Sequence, residues 1–285
     1  MILSLFRFRC VFLASVTAVI TLHGGQKLRY HFEKGDSLRY SSSIDSKTSG
    51  QERGEDFVII ADADFDYTIR PGERTAGGNY ALTVTIDRFH LRLDAPVLGF
   101  VDSTVILNEY AGKRLNVELT ELGKTVSIEP IDLFPRWRFL TFAEMNPFEL
   151  FQRLIFELPE QAVDTGSTWT NTSPDSTVQD GMAIRSNQNI GYRVTGVALK
   201  GRYRCWQITI AGRNSMEGTG KQSGMTLTTD AVNKLNGVVY FAPKEGVCVS
   251  AEQTIANDMT VTATGKQTGA QTTSSIIRVT TALIP

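Results

Sequence analysis

Asp62, Asp64 and Asp66 stand at alternate positions, three carboxylates that could together hold a metal ion. Taken as a calcium loop beginning at Asp62, the frame places Ile69 at its eighth position and Glu73 at its twelfth. It fails where the geometry is strictest, because Tyr67 occupies the position of the sharp turn that needs Gly and Pro71 falls where the exiting helix should begin. A strand with one wet face gives the same alternation without an ion. His31 and His90 are far apart and in no H-x-H or H-E-x-x-H context, so neither is expected to be a zinc ligand or a general base.

No G-x-S-x-G elbow, Walker loop or dinucleotide fingerprint occurs. Gly218-Thr219-Gly220-Lys221 lacks the spacing of a phosphate loop and reads, like Thr264-Gly265-Lys266, as a hairpin turn. With no convergent acid, base and nucleophile, the chain is expected not to be an enzyme and to carry no catalytic residue, metal or cofactor. Cys205 and Cys248 remain after a leader that carries Cys10. An oxidising compartment would permit a bridge between them. Alternation puts Cys205 on the face opposite Trp206, Ile208 and Ile210, so a bridge requires that the two strands be neighbours; two free thiols are the alternative.

The remaining chemistry is apolar. Trp137, Phe148, Phe151, Leu154 and Ile155 fall in a segment with six of the chain's 15 phenylalanines. They are expected to line a space for a hydrophobic or lipid-like ligand, or else to plug a core. Asn146-Pro147 reads as a helix start, and Phe148 to Leu158 as an apolar helix stopped by Pro159.

Most of what surrounds this helix reads as antiparallel strand. Alternating runs include Phe57 to Ile69, Tyr80 to Leu93, Ser103 to Tyr110, Leu115 to Leu119, Ile190 to Leu199, Tyr203 to Ile210, Met225 to Asp230, Gly237 to Phe241, Met259 to Thr264 and Ser274 to Leu283. Breaks such as Arg70-Pro71-Gly72, Ala76-Gly77-Gly78 and Pro243-Lys244-Glu245-Gly246 separate them. The pattern also repeats. Gly35-Asp36-Ser37-Leu38 answers to Gly166-Ser167-Thr168-Trp169, Tyr67 to Tyr192, Gly112 to Gly237, Gly123 to Gly246 and Glu129 to Glu252. The expected fold is all-β, with two tandem homologous antiparallel β-meander units, as curved sheets or half-barrels, joined by one apolar helix. Residues 26–133 form the first repeat, 134–162 the aromatic linker and helix, and 163–285 the second repeat with the C-terminal strands.

Residues 1–25 read as a signal peptide, with Arg7 and Arg9 before a 13-residue apolar run from Cys10 to Leu22, shorter than the roughly 20 residues of a spanning helix. Its removal leaves 27 basic against 30 acidic side chains, a net charge near −3. That balance gives no basic footprint for nucleic acid.

From Phe151 to Trp169, Leu158-Pro159 is followed by Val163, Gly166 and Trp169 in the pattern Val-x-x-Gly-x-x-Trp. Phe32-Glu33-Lys34-Gly35 opens the first half, and Gly237, Val239, Phe241 and Gly246 mark a late hairpin. In these motifs the chain resembles a family of functionally uncharacterised exported bacterial β-rich proteins. The resemblance implies a β-rich fold and export to the periplasm or beyond, and transfers no catalytic residue. The expected function is a non-enzymatic bacterial envelope protein with a hydrophobic ligand in an inter-repeat groove; the alternative is a protein-interaction or scaffold module of the envelope. Expressed in a Gram-negative host, the protein should be exported with a mature N-terminus near Gly25 or Gln26. N-terminal sequencing that finds Met1 intact in the cytoplasmic fraction would contradict this.

Overall fold

The computed structural model describes residues 25–52, 54–96, 100–105, 108–132, 137–140, 143–145, 155–179, 182–222, 224–265 and 268–285. The fold is all-β and antiparallel. Its strands are β1 (Leu38–Glu52), β2 (Glu55–Arg74), β3 (Tyr80–Ala95), β4 (Phe100–Val105), β5 (Arg114–Leu119) and β6 (Thr125–Pro130), then the small hairpin β7 (Trp137–Leu140) and β8 (Ala143–Met145). The second half holds β9 (Thr168–Gln179), β10 (Met182–Lys200), β11 (Tyr203–Gln222), β12 (Met225–Ala242), β13 (Val247–Gly265) and β14 (Gly269–Ile284).

One sheet holds the strands of both halves, in the order β6-β5-β3-β2-β1-β14-β13-β12-β11-β10-β9, with β4 paired to β3. The antiparallel pairing of β1 with β14 joins the halves, from Arg39 opposite Ile284 to Gln51 opposite Thr272. Among the described residues β6 and β9 each pair on one side only, so the sheet is not closed.

The sheet nevertheless curls, because a single apolar cluster draws side chains from strands near both edges. Leu115, Val117 and Leu119 of β5, Tyr67 of β2, Ile208 and Ile210 of β11, and Tyr192 and Val194 of β10 all belong to it. A sheet with one apolar face must bury it against something. At this end the two halves of the same sheet cover one another, and two irregular segments complete the filling.

The first is a strap, residues 25–33, laid across the end. Tyr30 N–H donates to the Glu121 carbonyl at 2.8 Å in the β5–β6 turn, and His31 N–H to the Gly246 carbonyl at 2.9 Å in the β12–β13 turn. The second, residues 155–167, runs beside it. Leu158 N–H bonds the Leu122 carbonyl, Val163 pairs with Gln26, and Gly166 N–H bonds the Val194 carbonyl. The Tyr30 hydroxyl donates to the Phe156 carbonyl at 3.2 Å, and the Tyr30 ring meets Phe241 edge-on at 5.3 Å. Arg29 adds bonds to the Pro159 and Glu160 carbonyls and an ion pair with Glu121.

Several boundaries differ from the sequence expectation. Residues 155–158 have no regular secondary structure and are not helical, their backbone being engaged by the strap and the β5–β6 turn; the rest of the expected helix lies outside the described residues. Gly218 to Lys221 is no turn but the interior of β11. A Cβ on Gly218 would sit 3.3 Å from Met182 Cε and 3.6 Å from Ile184, so the small residue fits the inner face beside β10. Pro71 and Gly72 do not end β2, which passes through them with a shift of register. Residues 103–110 are not one strand either, since β4 ends at Val105 and Asn108–Tyr110 is a 3-10 turn.

The strap leaves no room at the two turns it crosses. Gly246 has φ of 69°, and a Cβ there would lie 2.3 Å from His31 Cβ. Gly54 also has a positive φ, 88°, but faces open space. Gly246→Ala should therefore cost about 2–4 kcal/mol in urea unfolding, conformational strain plus overpacking, whereas Gly54→Ala should cost about 1–2 kcal/mol from strain alone. Equal losses would contradict the clamped strap.

Candidate functional site

Away from the strap the long strands continue past the core, and the continuation of their core-side face, the trough, is chemically distinct. Inner positions follow from the register with the core. On β10 they are Ile184, Ser186, Gln188 and Ile190, facing Gly218, Met216, Asn214 and Gly212 of β11. Leu235, Asn233 and Ala231 of β12 continue these rows, followed by Ile255, Asn257 and Met259 of β13 and Ile277, Ser275 and Thr273 of β14.

The aliphatic members Ile184, Ile190, Met216, Leu227, Leu235, Ile255, Met259, Val261 and Ile277 are all half-buried. In the trough, past the core, no inner position of these strands carries a charge; Arg204, on the inner face of β11, lies at the strap end. Arg185, Arg213, Glu217, Asp230, Lys234 and Arg278 all alternate to the outer face.

The sequence-predicted ligand residues are only partly placed. Phe148, Phe151 and Leu154 lie outside the described residues, and Trp137 is placed only as the first residue of β7. Ile155 is half-buried against the main core at the strap end. The motif residues Leu158, Val163, Gly166 and Trp169 are fastenings: Trp169 stacks on Tyr192 at 5.0 Å and donates its indole N–H to the Glu157 carbonyl at 3.0 Å. Sequence reasoning missed the trough because its lining belongs to strands that only the register brings side by side.

A second concavity, of about 720 Å³, lies on the outer face at the strap end, where the β10–β11 turn overhangs β13, β14 and β1. Ser41, Ser43, Ser250 and Thr280 give it a hydroxyl floor, with Lys200 and Arg202 on its lip. The Lys200 ammonium sits 3.9 Å over the Tyr240 ring. Arg202 donates to the Tyr203 hydroxyl at 3.1 Å.

The polar groups of the core are structural. Tyr40 donates to the Cys248 carbonyl at 2.9 Å, and Tyr80 to the Tyr30 carbonyl at 3.0 Å. Burial holds the Tyr30, Tyr40 and Tyr67 phenols well above the ordinary tyrosine range. Asp66, on the wet face of β2, pairs with Arg88 at 2.9 Å, and that bond holds its carboxyl below the usual range.

Cys205 and Cys248 are both free and buried. Strand β12 lies between β11 and β13, and the two side chains enter different clusters, Cys248 the main core and Cys205 a smaller outer one with Ala242, Val247 and Val249. The bridge that the even cysteine count permits is therefore not formed. Burial pushes the Cys205 thiol up to about 11 and the Cys248 thiol up to about 12.

No family model matches the chain, and no curated protein is significantly similar to it. Among solved structures it is similar to an outer membrane channel from Pseudomonas putida F1, at 10% identity over 88% of this chain and 97% of that one, with a TM-score of 0.23. It is also similar to Pseudomonas aeruginosa OccK2 (OpdF), solved with glucuronate, at 10% identity over 90% of this chain and 100% of that one, TM-score 0.21. Pseudomonas aeruginosa OccK8 (OprE) gives 7% identity over the same shares, TM-score 0.22. Overlaps at these scores are too small to carry a functional argument.

A thiol raised by burial stabilises the fold fully below its ordinary value near 9, and that contribution is lost as pH rises through the folded value near 12. The buried phenols act in the same direction. Urea stability should thus be flat between about pH 6 and 8 and fall between about pH 9 and 12, and neither thiol should react with Ellman's reagent in folded protein at about pH 8. Rapid labelling of both thiols at that pH would contradict the burial.

Proposed function

We propose that the protein is an exported, non-enzymatic binding protein of the bacterial envelope that holds a hydrophobic or lipid-like ligand in the trough. The observation that carries this reading is the inner face of β10 to β14 past the core: rich in half-buried aliphatic side chains and without charge, while Arg185, Arg213, Glu217, Asp230, Lys234 and Arg278 lie on the outer face. Apolar surface with a few convergent polar groups is the usual lining of a small-molecule site. Export is supported by the leader, Arg7 and Arg9 before the 13-residue apolar run from Cys10 to Leu22.

The same reading takes the chain as internally duplicated. Strands β1-β2-β3-β5-β6 and β9-β10-β11-β12-β13 run in the same order along the sheet. Gly35 and Gly166, and Gly123 and Gly246, hold positive φ at matching places in the two series.

A second reading, a docking module for another envelope protein, is favoured by the β10–β11 hairpin. Leu199 is 75% exposed and Val197 47% exposed, opposite Arg204 and Trp206 of β11.

Protein purified without detergent from its native host, denatured and extracted, should release a stoichiometric apolar small molecule detectable by mass spectrometry. The emptied protein should then bind the neutral fluorophore 1-aminoanthracene, and Ile255→Asp should weaken that binding at least roughly ten-fold by burying a charge in the trough. A copurifying polypeptide with no small molecule and no fluorophore binding would replace the carrier with the docking module.

A further inference from the structure

The register that builds the trough also lays a line of neutral polar side chains straight across it. Gln188 of β10 faces Asn214 of β11, Asn214 faces Asn233 of β12, Asn233 faces Asn257 of β13, Asn257 faces Ser275 of β14, and Ser275 faces Thr48 of β1. Six adjacent strands separated by about 4.8 Å make a belt roughly 24 Å long. At one end Thr48 and Ser275 share a hydroxyl–hydroxyl bond of 2.9 Å. Within the belt the side-chain oxygens of Asn214 and Asn257 are shielded from solvent and have no hydrogen-bond partner.

Asparagine is a poor strand residue, and a shielded acceptor without a donor costs stability. Three asparagines in one row, two with such oxygens, are hard to account for by folding alone. Their surroundings restrict what could satisfy them. The flanking rows are uncharged and mostly apolar, Ile190, Leu235, Ile255 and Ile277 on one side and Met216, Ala231 and Met259, between Ser186 and Thr273, on the other.

We propose that this belt is the polar recognition line of the trough, and that its ligand is an uncharged amphiphile whose hydroxyl or amide N–H groups donate to Asn214 and Asn257 while its hydrocarbon lies on the flanking rows. The inference rests on the trough being a ligand site and narrows what it takes. A carboxylate or ammonium placed here would lose its hydration without gaining a partner. A hydroxyl or amide N–H exchanges water for an acceptor that is already desolvated.

The test uses the mature protein loaded with 1-aminoanthracene and displaces it with three amphiphiles of one chain length, dodecyl maltoside, dodecanoate and dodecyltrimethylammonium, each below its micelle concentration. Dodecyl maltoside should displace the fluorophore at a concentration lower by roughly ten-fold or more than either ion. Asn214→Leu combined with Asn257→Leu should abolish that preference in a protein that still binds the fluorophore. Should this variant fail to fold, the shorter Asn214→Ser and Asn257→Ser pair must show the same loss. Equal displacement by all three amphiphiles, or a preference that survives both pairs of substitutions, overturns the belt while leaving the trough as a ligand site. Failure of the fluorophore to bind overturns both.

Discussion

Tyr30 and His31 thread between two hairpin turns that belong to opposite halves of one sheet, and the strap they form fixes how far that sheet can curl. The β5–β6 turn accepts a hydrogen bond from Tyr30, and the β12–β13 turn accepts one from His31. Each turn carries a positive-φ glycine, Gly123 or Gly246, against which the strap lies too closely for a side chain. With the turns tied to one segment, the apolar faces of β2, β3 and β5 and of β10 to β13 meet in one cluster. The aromatic rings of Tyr30, Phe156 and Phe241 fill the space between them.

Curvature fixed at one end leaves a trough at the other. The strands are far longer than the core needs: β10 to β14 run 16 to 20 residues, and their far halves extend past the cluster. Their inner faces keep aliphatic side chains but gain asparagine, serine and threonine, a composition too polar for a dry core and too apolar for a plain surface. The rigid strap end and the half-buried far end thus divide stability from binding within a single sheet. That division is the physical basis of the proposed carrier role.

The sequence made the strand content legible because period-two alternation survives in the core-facing stretches Tyr80 to Leu93, Leu115 to Leu119 and Tyr203 to Ile210. Two long strands escaped it. In β1 the run Ser41 to Gly50 has small polar residues on both faces, and β9 is mostly Thr, Ser and Asn, so neither shows a hydrophobic period. The strap escaped because residues 27–33 have no regular secondary structure and act through single bonds. The apolar run around Ile155 read as helix, yet residues 155–158 have no regular secondary structure because their partners lie in other segments. The trough was illegible for a different reason. Asn214, Asn233 and Asn257 are 19 and 24 positions apart, and only the hairpin registers bring them into one row.

The central claim, a fold locked at the strap and left open at the far end of the trough, is tested most directly by hydrogen exchange resolved to single amides. Tyr30, His31 and Leu158 should exchange only through global unfolding, as slowly as the core strands. The amides in the far halves of β11 to β13 should exchange through smaller local openings. Strap amides that exchange as fast as exposed loops, with the far halves of the strands the most protected part of the protein, would contradict the account.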